Sequence, residues 1–154
     1  MSRTSNRADI AGFTLVEVLI AAVIMVILCI GTMTVFSYAV RINRGNNLRA
    51  QAMSVLQKEV EYYRSVKYVP VGSSAELNAG TYTNVRTRTS PDGRVFSVSV
   101  TIDNDPVTAG VQTTPADAAC RFKEISITVV PQVAETGWLA NLKTNVTIQR
   151  VRAN

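Results

Sequence analysis

At 154 residues and a net charge of +5, the chain is about one ordinary domain long, and much of its apolar content sits in one N-terminal block rather than in a soluble core. It contains no histidine, which removes the commonest general base, nucleophile activator and metal ligand together. No nucleophile, base and orienter can be assembled and no phosphate-binding glycine loop is present, so no catalytic residue, metal or cofactor is expected. The basic residues are scattered, with Arg86, Arg88 and Arg94 the one loose cluster, and read as a solvated surface.

Met1 to Gly12 is short and polar, and carries Arg3 and Arg7. Val18 to Val40 then runs for 23 residues without a charge. As helix that is about 35 Å, enough for a hydrocarbon layer of about 30 Å, so a membrane span is expected. A secretory signal cut near Ala39 is the rival, since Ser37-Tyr38-Ala39 has the small-x-small pattern. The apolar run is longer than the usual signal core, and Glu17 stands directly before it. Charge counting does not fix orientation, because Arg3 and Arg7 on one side face Arg41, Arg44 and Arg49 on the other. Cys29 lies inside the apolar block and Cys120 far downstream, and they are not expected to pair.

The block Gly12-Phe13-Thr14-Leu15-Val16-Glu17-Val18-Leu19-Ile20-Ala21 resembles the N-terminal signature of type IV pilins and type II secretion pseudopilins. A glycine, an aromatic, a short apolar run and a glutamate five positions after the glycine stand together ahead of the uninterrupted span. The resemblance implies removal of residues 1–12 by a prepilin peptidase, cleavage between Gly12 and Phe13, and N-methylation of Phe13. It also implies an N-terminus on the cytoplasmic side of the inner membrane and a C-terminal domain in the periplasm. Glycine suits such a site, because its bare backbone admits close approach by a membrane-embedded active site. Glu17, a carboxylate at the edge of hydrocarbon, needs a cation, and the resemblance supplies the amino terminus of a neighbouring Phe13 as its assembly partner. The plainer reading is a carboxylate favoured by the helix dipole and facing headgroups. Gly31 is the one helix-weakening residue in the span and the expected place for it to loosen in a filament. Family members often carry a proline in the span and, among major pilins, a C-terminal disulfide loop; this chain has neither the proline nor the cysteine pair.

From Arg41 the helix is expected to continue in amphipathic form. Leu48, Ala52, Val55, Leu56, Val60 and Tyr63 recur at threes and fours against polar Arg49, Gln51, Lys58 and Glu61. Gly45 and Asn46-Asn47 suggest a soft joint, and Pro70 with Gly72 a stop, so the helix is drawn from about Phe13 to about Tyr68. Residues 81–88 and 94–103 read as a hairpin around Ser90-Pro91-Asp92-Gly93, with Phe96, Val98, Val100 and Ile102 alternating against polar positions. After a polar loop over 104–119, strands resume at about 120–130 and 142–151. There Ile125, Ile127 and Val129, then Leu142, Val146 and Ile148, form inward sets.

Asp103, Asp105 and Asp117 match no compact calcium loop and read as turn residues. Trp138 reads as a core or sheet-edge aromatic, and Tyr62 and Tyr63 as core and boundary residues. The expected architecture is α+β: a long N-terminal helix, membrane-spanning over 13–40 and amphipathic over 41–69, packed on a small antiparallel sheet within 70–154. The expected role is a minor pilin or pseudopilin, a structural subunit and not an enzyme. Its partners would be prepilin peptidase, other pilin or pseudopilin subunits and the lipid bilayer. Two alternatives stand beside it: a secreted soluble β protein, and a DNA-binding competence pseudopilin, with nucleic acid left open as a partner.

Overall fold

In the computed structural model, residues 12–69, 73–133 and 139–152 are described below. One long helix, α1 (Leu15–Ser65), precedes a short 3₁₀ turn at Ala75–Leu77 and four strands: β1 (Gly80–Thr89), β2 (Val95–Asp103), β3 (Phe122–Pro131) and β4 (Thr144–Val151). The chain divides into two units, Met1–Asn43 and Arg44–Asn154.

In the first unit α1 buries nothing. An 18-residue window has mean hydropathy 2.8 with none of it covered, and Leu15, Met25, Ile27 and Phe36 are all more than half exposed. The helix passes through Gly31 unbroken. The hydroxyls of Thr32 and Thr34 donate back to the carbonyls of Cys29 and Gly31 at 2.9 and 2.7 Å, a pattern that satisfies a polar side chain within an apolar helix and slightly weakens its ladder.

In the second unit the same helix is one-sided. Leu48, Ala52, Val55, Leu56 and Tyr63 are buried, as their spacing requires, against the inward residues of the sheet. Around the soft joint expected at Gly45, α1 runs as helix without a break, and Gly45 is buried within it, where a bare backbone tolerates close packing. Gln51 also departs from the polar face assigned to it. It is buried, donates to Asn47 and to the Asp92 carboxylate, and accepts from the Ser90 hydroxyl at 3.0 Å. The amide of Gln51 thereby ties the helix to the β1–β2 turn, in which Gly93 takes φ +79°, a conformation that only glycine adopts cheaply.

The sheet is an antiparallel meander in the order β1-β2-β3-β4. Phe96, Val98, Val100 and Ile102 on β2 and Ile125, Ile127 and Val129 on β3 are fully buried, with Ile148 of β4 beside them. The opposite face is small and polar: Thr81, Thr101, Ser126 and Thr147 form one row across all four strands. A register shift between Tyr82 and Arg86 places Asn84 at φ 50°, and its N–H donates to the Ser99 hydroxyl instead of to the ladder.

The helix stops at Ser65, before the expected Tyr68. Its end is closed by Arg150, on the inward face of β4, whose guanidinium donates to the carbonyls of Tyr63 and Val66, groups left without a helical partner where the helix stops. Pro70 and Gly72, expected as the stop signal, lie outside the described residues, as does Trp138.

Candidate processing and assembly site

Gly12, Phe13 and Thr14 precede the first helical turn, and Phe13 is 86% exposed. Thr14 and Glu17 fix where that turn begins. The Thr14 N–H and hydroxyl both donate to Glu17 Oε2 at 2.9 Å, and the Glu17 N–H returns a bond to the Thr14 hydroxyl at 3.3 Å. This is a reciprocal capping box, which satisfies N–H groups that a helix start leaves orphaned. The Gly12–Phe13 peptide therefore stays outside the helix. Thr14 was not singled out from sequence, although the T-x-x-E spacing that identifies a cap is plain in Thr14-Leu15-Val16-Glu17.

Glu17 spends Oε2 on this cap, while Oε1 makes no hydrogen bond to a described residue. The carboxylate thus retains acceptor capacity for a cation from outside the chain. A Cβ added at Gly12 or at Gly31 would meet nothing within 4 Å among the described residues. Packing against the described residues requires neither glycine.

The polar clusters of the second unit are internally committed. Arg86 and Arg88, expected to form a solvated basic surface, both turn inward to Glu59, which is fully buried on α1. Arg86 also pairs with Glu76 at 3.3 Å and stacks over the Tyr62 ring with its carbon 4.0 Å from the centroid. A buried carboxylate has to recruit cations, and β1 is the strand that supplies them. The Glu76 carboxylate accepts a bond from the Tyr62 hydroxyl and thereby raises that phenol's pKa, while burial raises that of Tyr63, which is a core residue as expected. Burial, reinforced by Cys120, pushes the Tyr68 phenol up to about 12; its hydroxyl donates to the Cys120 carbonyl at 2.9 Å.

Asp103 and Asp105 organise the 104–119 loop by accepting backbone N–H groups from Asp105, Gln112 and Val107, the behaviour of turn residues. Asp117 instead faces the ammonium of Lys123, a residue buried on the inward side of β3 that also donates to the Leu77 carbonyl. Burial works against ionisation of Asp117, but Lys123, the Asn104 amide and the Ala79 N–H together hold its pKa below the usual carboxylate value. Among the described residues, no three acidic, histidine or cysteine side chains converge on a common point.

Comparison with curated proteins and with solved structures returns no match. Residues 7–33 match the family model described as the prokaryotic N-terminal methylation motif, a stretch that contains Gly12, Phe13, the capping box and the first half of the apolar helix. The chain thus carries the N-terminal signature of type IV pilins and pseudopilins, joined to an α+β arrangement of one long helix on a four-stranded antiparallel sheet.

Proposed function

We propose that the chain is a minor pilin or pseudopilin, a structural subunit of a type IV pilus or type II secretion filament. Prepilin peptidase removes residues 1–12 after Gly12, and the new amino terminus on Phe13 is N-methylated. Residues 13–40 hold the subunit in the inner membrane as a single pass, residues 41–69 continue the helix onto the domain, and residues 70–154 form a periplasmic β domain. The observation that carries this reading is the continuity of the methylation motif at 7–33 with a wholly exposed apolar helix in which Glu17 is the one charge between Phe13 and Val40.

Within that role, Glu17 Oε1 receives the amino terminus of a neighbouring Phe13. An unpaired carboxylate and an unpaired ammonium are each costly in low dielectric, so their meeting sets the position of the incoming subunit. Gly31 supplies a weak point for α1 when subunits compact, since glycine lowers helix stability by about 1 kcal/mol relative to alanine. Lack of a cysteine pair for a C-terminal loop favours a minor over a major subunit.

Mass spectrometry of the mature N-terminus tests the reading. An N-terminal peptide beginning at methylated Phe13 is expected. A mature chain beginning at Val40 would instead identify a secreted protein, and an intact Met1 would refute processing.

A further inference from the structure

The apolar surface of α1 ends on a cation that has no partner among the described residues. Arg41 directly follows the uncharged run Val18 to Val40, and its guanidinium has no hydrogen bond or ion pair with a described residue. Ser37 and Tyr38 stand four and three positions earlier, on the same side of the helix. Arg41 lines one groove of about 390 Å³ with these two and with Met33 and Thr34. Side chains on a helix lean toward its N-terminus, so the guanidinium is drawn back over the turn that carries Ser37 and Tyr38.

Length sets the depth of this groove. A hydrocarbon layer of about 30 Å takes about 20 helical residues, which, counted from Val18, ends near Tyr38. The headgroup layer, roughly 5 Å or more thick on each side, then takes in Arg41. Tyr38, 67% exposed, has the ring with an apolar body and a polar tip that occupies such a boundary. Cations on the translocated side run against the usual distribution of charge in membrane proteins, and Arg41 is placed there with no partner from its own described residues.

We propose that Arg41, Ser37 and Tyr38 form a binding site for the phosphodiester of an anionic phospholipid, in the leaflet next to the C-terminal unit. This rests on the membrane-subunit reading above. The guanidinium presents its paired N–H groups to two phosphate oxygens, the two hydroxyls offer further donors, and Met33 lies where the acyl chains begin. An anionic headgroup is favoured over a zwitterionic one because the latter brings its own ammonium to the same phosphate.

The test uses the full chain reconstituted in bilayers of phosphatidylcholine containing a minority of phosphatidylglycerol, with co-purifying lipid identified by native mass spectrometry. Phosphatidylglycerol should be enriched over the bulk ratio by roughly fivefold, the factor expected for one basic residue at an anionic surface. Arg41→Gln should return the retained lipid to the bulk ratio, while Lys58→Gln, on the exposed face of α1 in the second unit, should leave the enrichment intact. Equal retention by wild type and Arg41→Gln would overturn the site. Loss of filament assembly in Arg41→Gln without any lipid preference in the wild type would assign Arg41 to a neighbouring subunit and overturn it too. A chain that leaves the membrane fraction in alkaline carbonate would refute the membrane reading, and the lipid site with it; a chain that stays without enrichment refutes the site alone.

Discussion

Arg150 on β4 donates to the carbonyl of Tyr63 on α1 at 2.6 Å, so the last strand of the sheet closes the end of the first helix. The same guanidinium reaches Val66 at 2.7 Å and stands 5.6 Å from the centre of the Tyr68 ring. Arg150→Met keeps much of the stem and removes the donors. It should lower the unfolding free energy of the 44–154 unit by about 1.5–3 kcal/mol, the range for hydrogen bonds from a charged group. Urea unfolding at neutral pH measures this, and a loss below a few tenths would remove Arg150 from the cap.

Glu59 and Glu76 both face Arg86 but differ in burial: Glu59 is inaccessible, whereas the Glu76 side chain is 44% exposed. Glu59→Ala leaves Arg86 and Arg88 without their central anion and should cost about 3–5 kcal/mol. Glu76→Ala should cost under about 1 kcal/mol, as for exposed pairs. Equal effects in denaturant titrations would contradict the hub assigned to Glu59.

Asp117 gives the second unit an acid-sensitive contact. Because its pKa is lowered on folding, the unfolded chain takes up the proton first. The stabilisation is therefore complete above the ordinary aspartate value of about 3.9 and is lost as pH falls through the lower folded-state value. Asp117→Asn should reduce stability at neutral pH, because Lys123 stays buried with its counter-charge gone. It should also flatten the decline on the acid side. Stability measured against pH for both proteins reads the two effects separately.

Glu17→Ala should be processed and inserted yet enter filaments poorly. The substitution removes both the carboxylate offered to a neighbour and half of the Thr14 capping box. Thr14→Val separates those losses. It weakens the helix start by about 1 kcal/mol but keeps the charge, and so should assemble better than Glu17→Ala. Gly12→Val should accumulate with its leader attached. Gels for leader retention and for subunit recovered in sheared filaments resolve the three variants; normal incorporation of Glu17→Ala would withdraw its assembly role.

Gly31→Ala should stiffen α1 and reduce incorporation into filaments while leaving cleavage and insertion unchanged. A filament map with unbroken helix from Gly31 through Thr34 would show that no loosening occurs there.

The apolar patterns were legible in the sequence. Alternation along Phe96 to Ile102 and Ile125 to Val129 placed the buried face of the sheet, and spacing from Leu48 to Tyr63 placed that of the helix. Polar residues inside those patterns were not. Lys123 falls on the inward phase of β3 and Glu59 lies among the buried helix positions; Lys123 is acceptable there because Asp117, six positions earlier, turns back to face it, and Glu59 because Arg86 and Arg88 arrive from 27 and 29 positions away. Gln51 was placed on the polar face for the same reason: its partners Ser90 and Asp92 lie about 40 positions away. At the helix start, the resemblance drew attention to Gly12, Phe13 and Glu17, but a purely local rule, the capping box, was needed to find Thr14.

The meander carries a consequence for the order of folding. Every strand pairs with its sequence neighbour, so no pairing has to wait for a strand further along, and each hairpin can form as soon as its two strands are available. The bond from Arg150 to Tyr63 spans 87 positions and cannot form before β4 is present. Synthesis of the last strand is thus the event that completes the helix terminus, and a nascent chain released before β4 would have its hairpins but not its lock.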